Sequence, residues 1–126
     1  MKTLGFHHVA IQAREVARVA AFYVDVLELP ELARYHRDDG SLRSIWVGVG
    51  GDDFLAIEHS TDRSAAGPSL GFSMVALRIA PQSRAHVTSR LNAHQVAIER
   101  ESGWTVYVRD PEGNLVGLSH HPHGVG

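Results

Sequence analysis

The apolar positions change period several times along the chain. Residues 6–11, FHHVAI, are short, β-branched and partly alternating, which predicts a strand. Across residues 14–27 apolar side chains recur at Val16, Val19, Ala20, Tyr23, Val26 and Leu27, a helical stripe without Gly or Pro. Pro30 limits that helix. ELARYH (31–36), the turn residues DDGS, IWVGV (45–49), the turn residues GGDD and FLAIEH (54–59) then alternate as three strands and two turns. The first half reads β-α-β-β-β.

The second half repeats that order. FSMVALRI (72–79) predicts a strand. PQSRAHVTSRLNAH (81–94) predicts a helix with Pro81 near its start and Val87 and Leu91 on one face. QVAIERE, WTVYVRD and NLVGLSH supply three more strands, with PEGN (111–114) as the turn before the last. The run STDRSAAGPSLG between the halves is rich in Ser, Gly, Ala and Pro and reads as a linker. The expected organisation is one α+β domain over 1–126: module one at 1–60, linker at 61–71, module two at 72–120 and tail at 121–126. When the halves are overlaid, HHVAI sits on SMVAL, so His8 falls on Met74. FLAIEH has its counterpart in NLVGLS, and Glu58 is set on Gly117.

Composition narrows the chemistry. The chain has 126 residues and 44% apolar content, enough for a core without staples. It contains no cysteine, which excludes disulfides, thiolate metal sites and a cysteine nucleophile. A formal charge of -2 gives no global pull toward nucleic acid or anionic membrane. The opening MKTLGFHHVAI lacks the apolar core of a signal peptide, and no apolar run reaches the ~20 residues of a membrane span, so a cytoplasmic protein is expected. Nine histidines in so short a chain draw attention to metal binding, although scattered surface and core use accounts for most of them.

These patterns resemble the vicinal oxygen chelate superfamily, which groups glyoxalases, bleomycin-resistance proteins and ring-cleaving dioxygenases. The resemblance rests on the FHHVAI opening, the Phe22-Tyr23 pair followed by VDVLELP, and the turn Asp110-Pro111-x-Gly113-Asn114. It implies two βαβββ modules whose mixed sheets curve into a cup with helices on the outer face, and a homodimer. Strand alternation then sends His8, Ala10 and Gln12 into the cup, together with Phe54, Ala56 and Glu58, with Met74, Ala76 and Arg78, and with Leu115, Gly117 and Ser119. His7 is expected on the helix side, and His59 on the face opposite Glu58.

The resemblance also implies up to four metal ligands, which carry over to His8, Glu58, Met74 and Gly117. Imidazole and carboxylate suit Zn, Ni, Mn or Fe; a thioether is a weak donor, and glycine has no side chain. His121, in the HHPH run, shares parity with Gly117 and is a candidate supplement, against the plainer reading of a solvated tail. Glu58 is the candidate base. Gln12, Trp46, Phe54, Met74, Arg78 and Tyr107 are the candidate ligand-binding residues, since small-molecule pockets are mostly apolar with a few placed polar groups.

Two readings follow. One is a small-molecule binding protein for an anionic or aromatic ligand, with a degenerate metal site and a divalent ion weak or absent. The other is a divergent metal-dependent lyase, isomerase or dioxygenase. No organic cofactor is implied. A purely structural partner module is a third possibility, which an open cavity would disfavour.

Overall fold

A computed structural model describes residues 1–2, 4–61 and 72–124. The expected linker at 61–71 therefore lies outside the described residues, apart from Thr61. The chain divides into two compact units, Met1–Asp62 and Arg63–Gly126.

Unit one runs β1 (His8–Ala13), α1 (Val16–Ala21), a π-helical segment (Phe22–Val26), β2 (Glu31–His36), β3 (Leu42–Gly50) and β4 (Asp53–His59). Its sheet order is β1-β4-β3-β2. β1 is parallel to β4, and the other neighbours are antiparallel. Alternation puts Ile45, Val47, Leu55 and Ile57, all buried, on one face. Val16, Val19, Ala20, Phe22, Tyr23 and Val26 are buried too, so the helical stripe read from the sequence meets a real core. The helix is not α throughout. Leu27 N–H donates to Phe22 O and Leu29 N–H to Tyr23 O, and this wider winding lets the adjacent Phe22 and Tyr23 rings both be buried, edge to face at 5.1 Å. β1 begins two residues later than the pattern predicts, because its pairing with β4 starts at His8 opposite Phe54, and it runs on to Ala13 opposite His59.

Unit two runs β5 (Val75–Arg78), a 3₁₀ turn (Pro81–Ser83), α2 (Arg84–Ala93), β6 (Ile98–Glu101), β7 (Thr105–Arg109) and β8 (Leu115–Ser119). The sheet order β5-β8-β7-β6 reproduces unit one, again with one parallel pair at the edge. Val106, Val108, Val116 and Leu118 form its buried face, and Leu91 is the buried residue of α2. The Asp110–Asn114 turn is built by one carboxylate. Asp110 accepts from the backbone N–H of Glu112 and of Asn114, both at 2.9 Å, and from Asn114 Nδ2, while Gly113 takes φ 90°.

After β8, residues 121–124 are exposed, whereas His120 is buried. His120 is 2% exposed. Its Nε2 accepts from Arg84 Nη1 at 3.0 Å, and its Nδ1 donates to His123 O. Arg84 also bonds Glu101 and Ser102 O, so the segment is tied to β6 and α2. Among the described residues no helix is long and apolar enough to cross a membrane.

Candidate functional site

Directly paired residues in a sheet point to the same side. In unit one, the register sets His8 opposite Phe54, Ala10 opposite Ala56 and Gln12 opposite Glu58. β3 continues the rows: Gly48 lies beside Phe54, Trp46 beside Ala56 and Ser44 beside Glu58. Ala33 and Tyr35 of β2 complete them.

The face is dominated by stacked rings. His8 lies parallel to Phe54 with centroids 4.8 Å apart, Trp46 stacks on Phe54 at 4.3 Å, and Tyr35 tilts against Trp46 at 4.9 Å. Phe54 is buried between its neighbours, whereas His8 is exposed. Gln12, Ser44 and Glu58 form the polar end of the same face. The Ser44 hydroxyl is buried without a hydrogen-bond partner among the described residues.

His7 is not on the helix side. It precedes β1, so strand alternation does not govern it. Its ring is edge-on to both His8 and Phe54, and its Nδ1 lies 2.8 Å from His8 Nδ1.

In unit two, Ala76, Gly117, Tyr107 and Arg100 form one row, and Arg78, Ser119 and Thr105 the next. The Arg100 guanidinium lies 3.9 Å from the centre of the Tyr107 ring, a cation–π contact. Thr105 Oγ1 donates to Ser119 Oγ at 2.9 Å. Sequence reasoning named Arg78 and Tyr107 but missed Arg100. Its signal was weak, because a register irregularity between Ile98 and Arg100 breaks the alternation there.

The overlay that set Glu58 on Gly117 needs correction. With Ala10 matched to Ala76, the partner of Ala10 on β4 is Ala56, and the partner of Ala76 on β8 is Gly117. Gly117 therefore corresponds to Ala56, and Glu58 corresponds to Ser119, the partner of Arg78.

The same register separates the two expected ligands. His8 and Glu58 sit four positions apart along a parallel pair, about 13 Å at ~3.3 Å per residue. In unit two, Met74 and Gly117 stand close together. A Cβ at Gly117 would lie 3.6 Å from Met74 Sδ and 3.4 Å from Thr105 Cγ2, so the thioether already occupies the space beside the glycine. His121 is exposed with its ring edge-on to Trp104, because β8 ends at Ser119 and its parity does not carry further. Among the described residues no group of three or more His, Cys, Asp or Glu could hold a metal ion. Of the four expected positions, His8 and Glu58 carry strong donors, and Met74 and Gly117 do not.

Comparisons with known proteins agree with this architecture. The chain is similar in structure to lactoylglutathione lyase from Agrobacterium tumefaciens, with 19% identity, 96% of each chain covered and a TM-score of 0.72. It is similar to a glyoxalase/dioxygenase from Nostoc punctiforme, with 19% identity, 95% of this chain and 92% of that chain covered, and a TM-score of 0.76. A third similar structure is a mutant of the fosfomycin resistance protein FosX from Listeria monocytogenes, solved with Mn(II) and a dihydroxypropylphosphonic acid. Its identity is 16%, with 94% and 90% of the chains covered and a TM-score of 0.71. At these identities the likeness is one of fold. No curated protein sequence matches the chain. The family model for the Glyoxalase/Bleomycin resistance protein/Dioxygenase superfamily matches residues 5–118, and the chain belongs to that superfamily.

Proposed function

We propose that this protein binds a small organic molecule without a resident metal, as a binding member of its superfamily and not as a metalloenzyme. The observation that carries this reading is the ring stack on the unit-one face, together with Met74 and Gly117 at two of the four expected ligand positions. The unit-one face offers ring surface from His8, Phe54, Trp46 and Tyr35, with the Gln12 amide and the Glu58 carboxylate at one end. Flat aromatic groups are attracted to such surfaces. The unit-two face offers the Arg78 and Arg100 guanidiniums, which suit carboxylate or phosphate groups. Glu58, placed here as a candidate base, instead accepts a hydrogen bond from a ligand hydroxyl or amine. The edge position of β1, with Val9 37% exposed, supports a homodimer, and sedimentation as a monomer at micromolar concentration would remove that part of the proposal.

Calorimetric titration tests the core of the reading. Flat aromatic carboxylates are expected to bind saturably and to change Trp46 emission, while Zn, Ni and Mn give no stoichiometric binding and chelator leaves the melting temperature unchanged. One metal bound per chain, or turnover that depends on an added divalent ion, would overturn it.

A further inference from the structure

At one end of unit one, a groove of about 690 Å³ is formed by three segments that are distant in sequence. Residues 14–18 enter α1, residues 37–42 turn from β2 to β3, and His59 ends β4. His59 has the parity of Leu55 and Ile57, so the groove lies on the other side of the sheet from the aromatic stack. It is a different place from the face described above.

The groove is rich in guanidinium groups. Arg14, Arg18 and Arg37 line it, against Glu15 and Asp39, in a chain whose formal charge is -2. Arg37 is held firmly by neutral acceptors. Its Nη1 donates to Ser41 Oγ at 3.3 Å and to Leu42 O at 3.5 Å, and its Nη2 lies 3.0 Å from His59 Nδ1. Arginine only donates, so His59 Nδ1 accepts there and the ring proton sits on Nε2, leaving a second donor on a groove residue.

Three guanidiniums against two carboxylates leave the groove lining with one net positive charge, and the two acids are engaged locally. Asp39 Oδ1 is committed to the Ser41 amide at 2.9 Å and the Ser41 hydroxyl at 2.6 Å. Gly40, at φ 86°, closes the turn that holds them, with Arg37 N–H donating to Ser41 O and Gly40 N–H to Arg37 O. Glu15 meets Arg18 at 3.3 Å, but both side chains are 66% exposed, and such surface pairs exchange readily for a better partner. What remains is a pre-positioned guanidinium whose hydrogen-bond partners among the described residues are Ser41, Leu42 and His59, a second guanidinium in an exchangeable pair, and a ring N–H. Fixed donors of this kind recognise compact oxyanions.

We propose that this groove is a binding site for a small phosphate-class anion, inorganic phosphate or the phosphate group of a monoester, centred on Arg37 and completed by Arg18 and His59. The proposal stands apart from ligand binding on the sheet faces.

Inorganic phosphate is the probe, titrated at low, constant ionic strength and followed by the amide resonances of residues 37–42 and 59. Saturable shifts confined to the groove are expected. Arg37→Gln and Arg18→Gln are each expected to weaken binding about tenfold, the loss of one charge-assisted contact. Arg18→Gln alters only an exposed side chain, so it keeps the test valid if Arg37→Gln fails to fold. Lys2→Gln, outside the groove, should leave phosphate binding unchanged. Absence of saturation in the unmodified protein, equal shifts with chloride at matched ionic strength, or wild-type affinity in Arg18→Gln would overturn the site. None of these results bears on Trp46 emission with aromatic carboxylates, so the two proposals fail separately.

Discussion

At the scale of single residues, Phe54 explains most about the candidate face. It sits at the start of β4, buried, with His8 stacked on one side and Trp46 on the other. Such a ring contributes burial and offset stacking together. Phe54→Ala is therefore expected to cost about 3–5 kcal/mol in urea unfolding, the range for removing a buried aromatic. It should also shift Trp46 emission to the red, since the indole loses its stacking partner. A cost below about 1 kcal/mol would mean that the ring is not part of the packed structure. Gly117 carries the opposite message. It is buried, and a Cβ there would meet Thr105, Ala76 and Met74 at 3.4 to 3.6 Å, ordinary packing distances, so the face is flat at this position because the residue lacks a side chain.

At the scale of elements, the β2–β3 turn carries a pH signature. The Asp39 carboxyl is held below its ordinary value of 3.8, first by the Ser41 hydroxyl, then by the Ser41 amide, with a smaller contribution from the Arg37 charge. A depressed value in the fold means that the ionised form is the one bonded. Its contribution is complete above the ordinary value and is lost as pH falls through the lower one. The Ser41 amide resonance is expected to titrate with a midpoint below 3.8; a midpoint above 3.8 would contradict the bonding described. The same scale shows what the sequence could and could not say. Hydrophobic period gave the order of strands and helices in both modules, because period reports which face a residue takes. Period does not report which neighbour lies across. Ala56 and Glu58 share parity, so alternation cannot distinguish them, and only the paired backbone shows that Ala56 is the counterpart of Gly117. His7 escaped for a related reason: it lies just outside β1, where parity has no meaning. The Arg37–His59 contact joins residues 22 apart, and no local pattern announces it.

At the scale of the whole molecule, the two units have the same topology and different numbers of buried apolar residues. Among the described residues, thirteen buried apolar residues lie in unit one, from Ala13 to Ile57, and five in unit two, from Leu91 to Leu118. Each large buried side chain contributes on the order of 1.5–3 kcal/mol, so an imbalance of this size is not offset by small differences in hydrogen bonding. Unit two relies more on polar ties, such as the Asp110 turn and the Arg84–His120 contact. The units are then expected to open separately, with unit two opening at lower free energy. Native-state hydrogen exchange reads this directly. Amides of Ile45, Val47, Leu55 and Ile57 should be protected at least about tenfold more than those of Val106, Val108, Val116 and Leu118, a difference of ~1.4 kcal/mol. The edge strands β1 and β5 should exchange faster than the central pair of their own sheets. Equal protection across both central pairs would mean that the chain opens as one cooperative body, and that the larger core of unit one stabilises both halves.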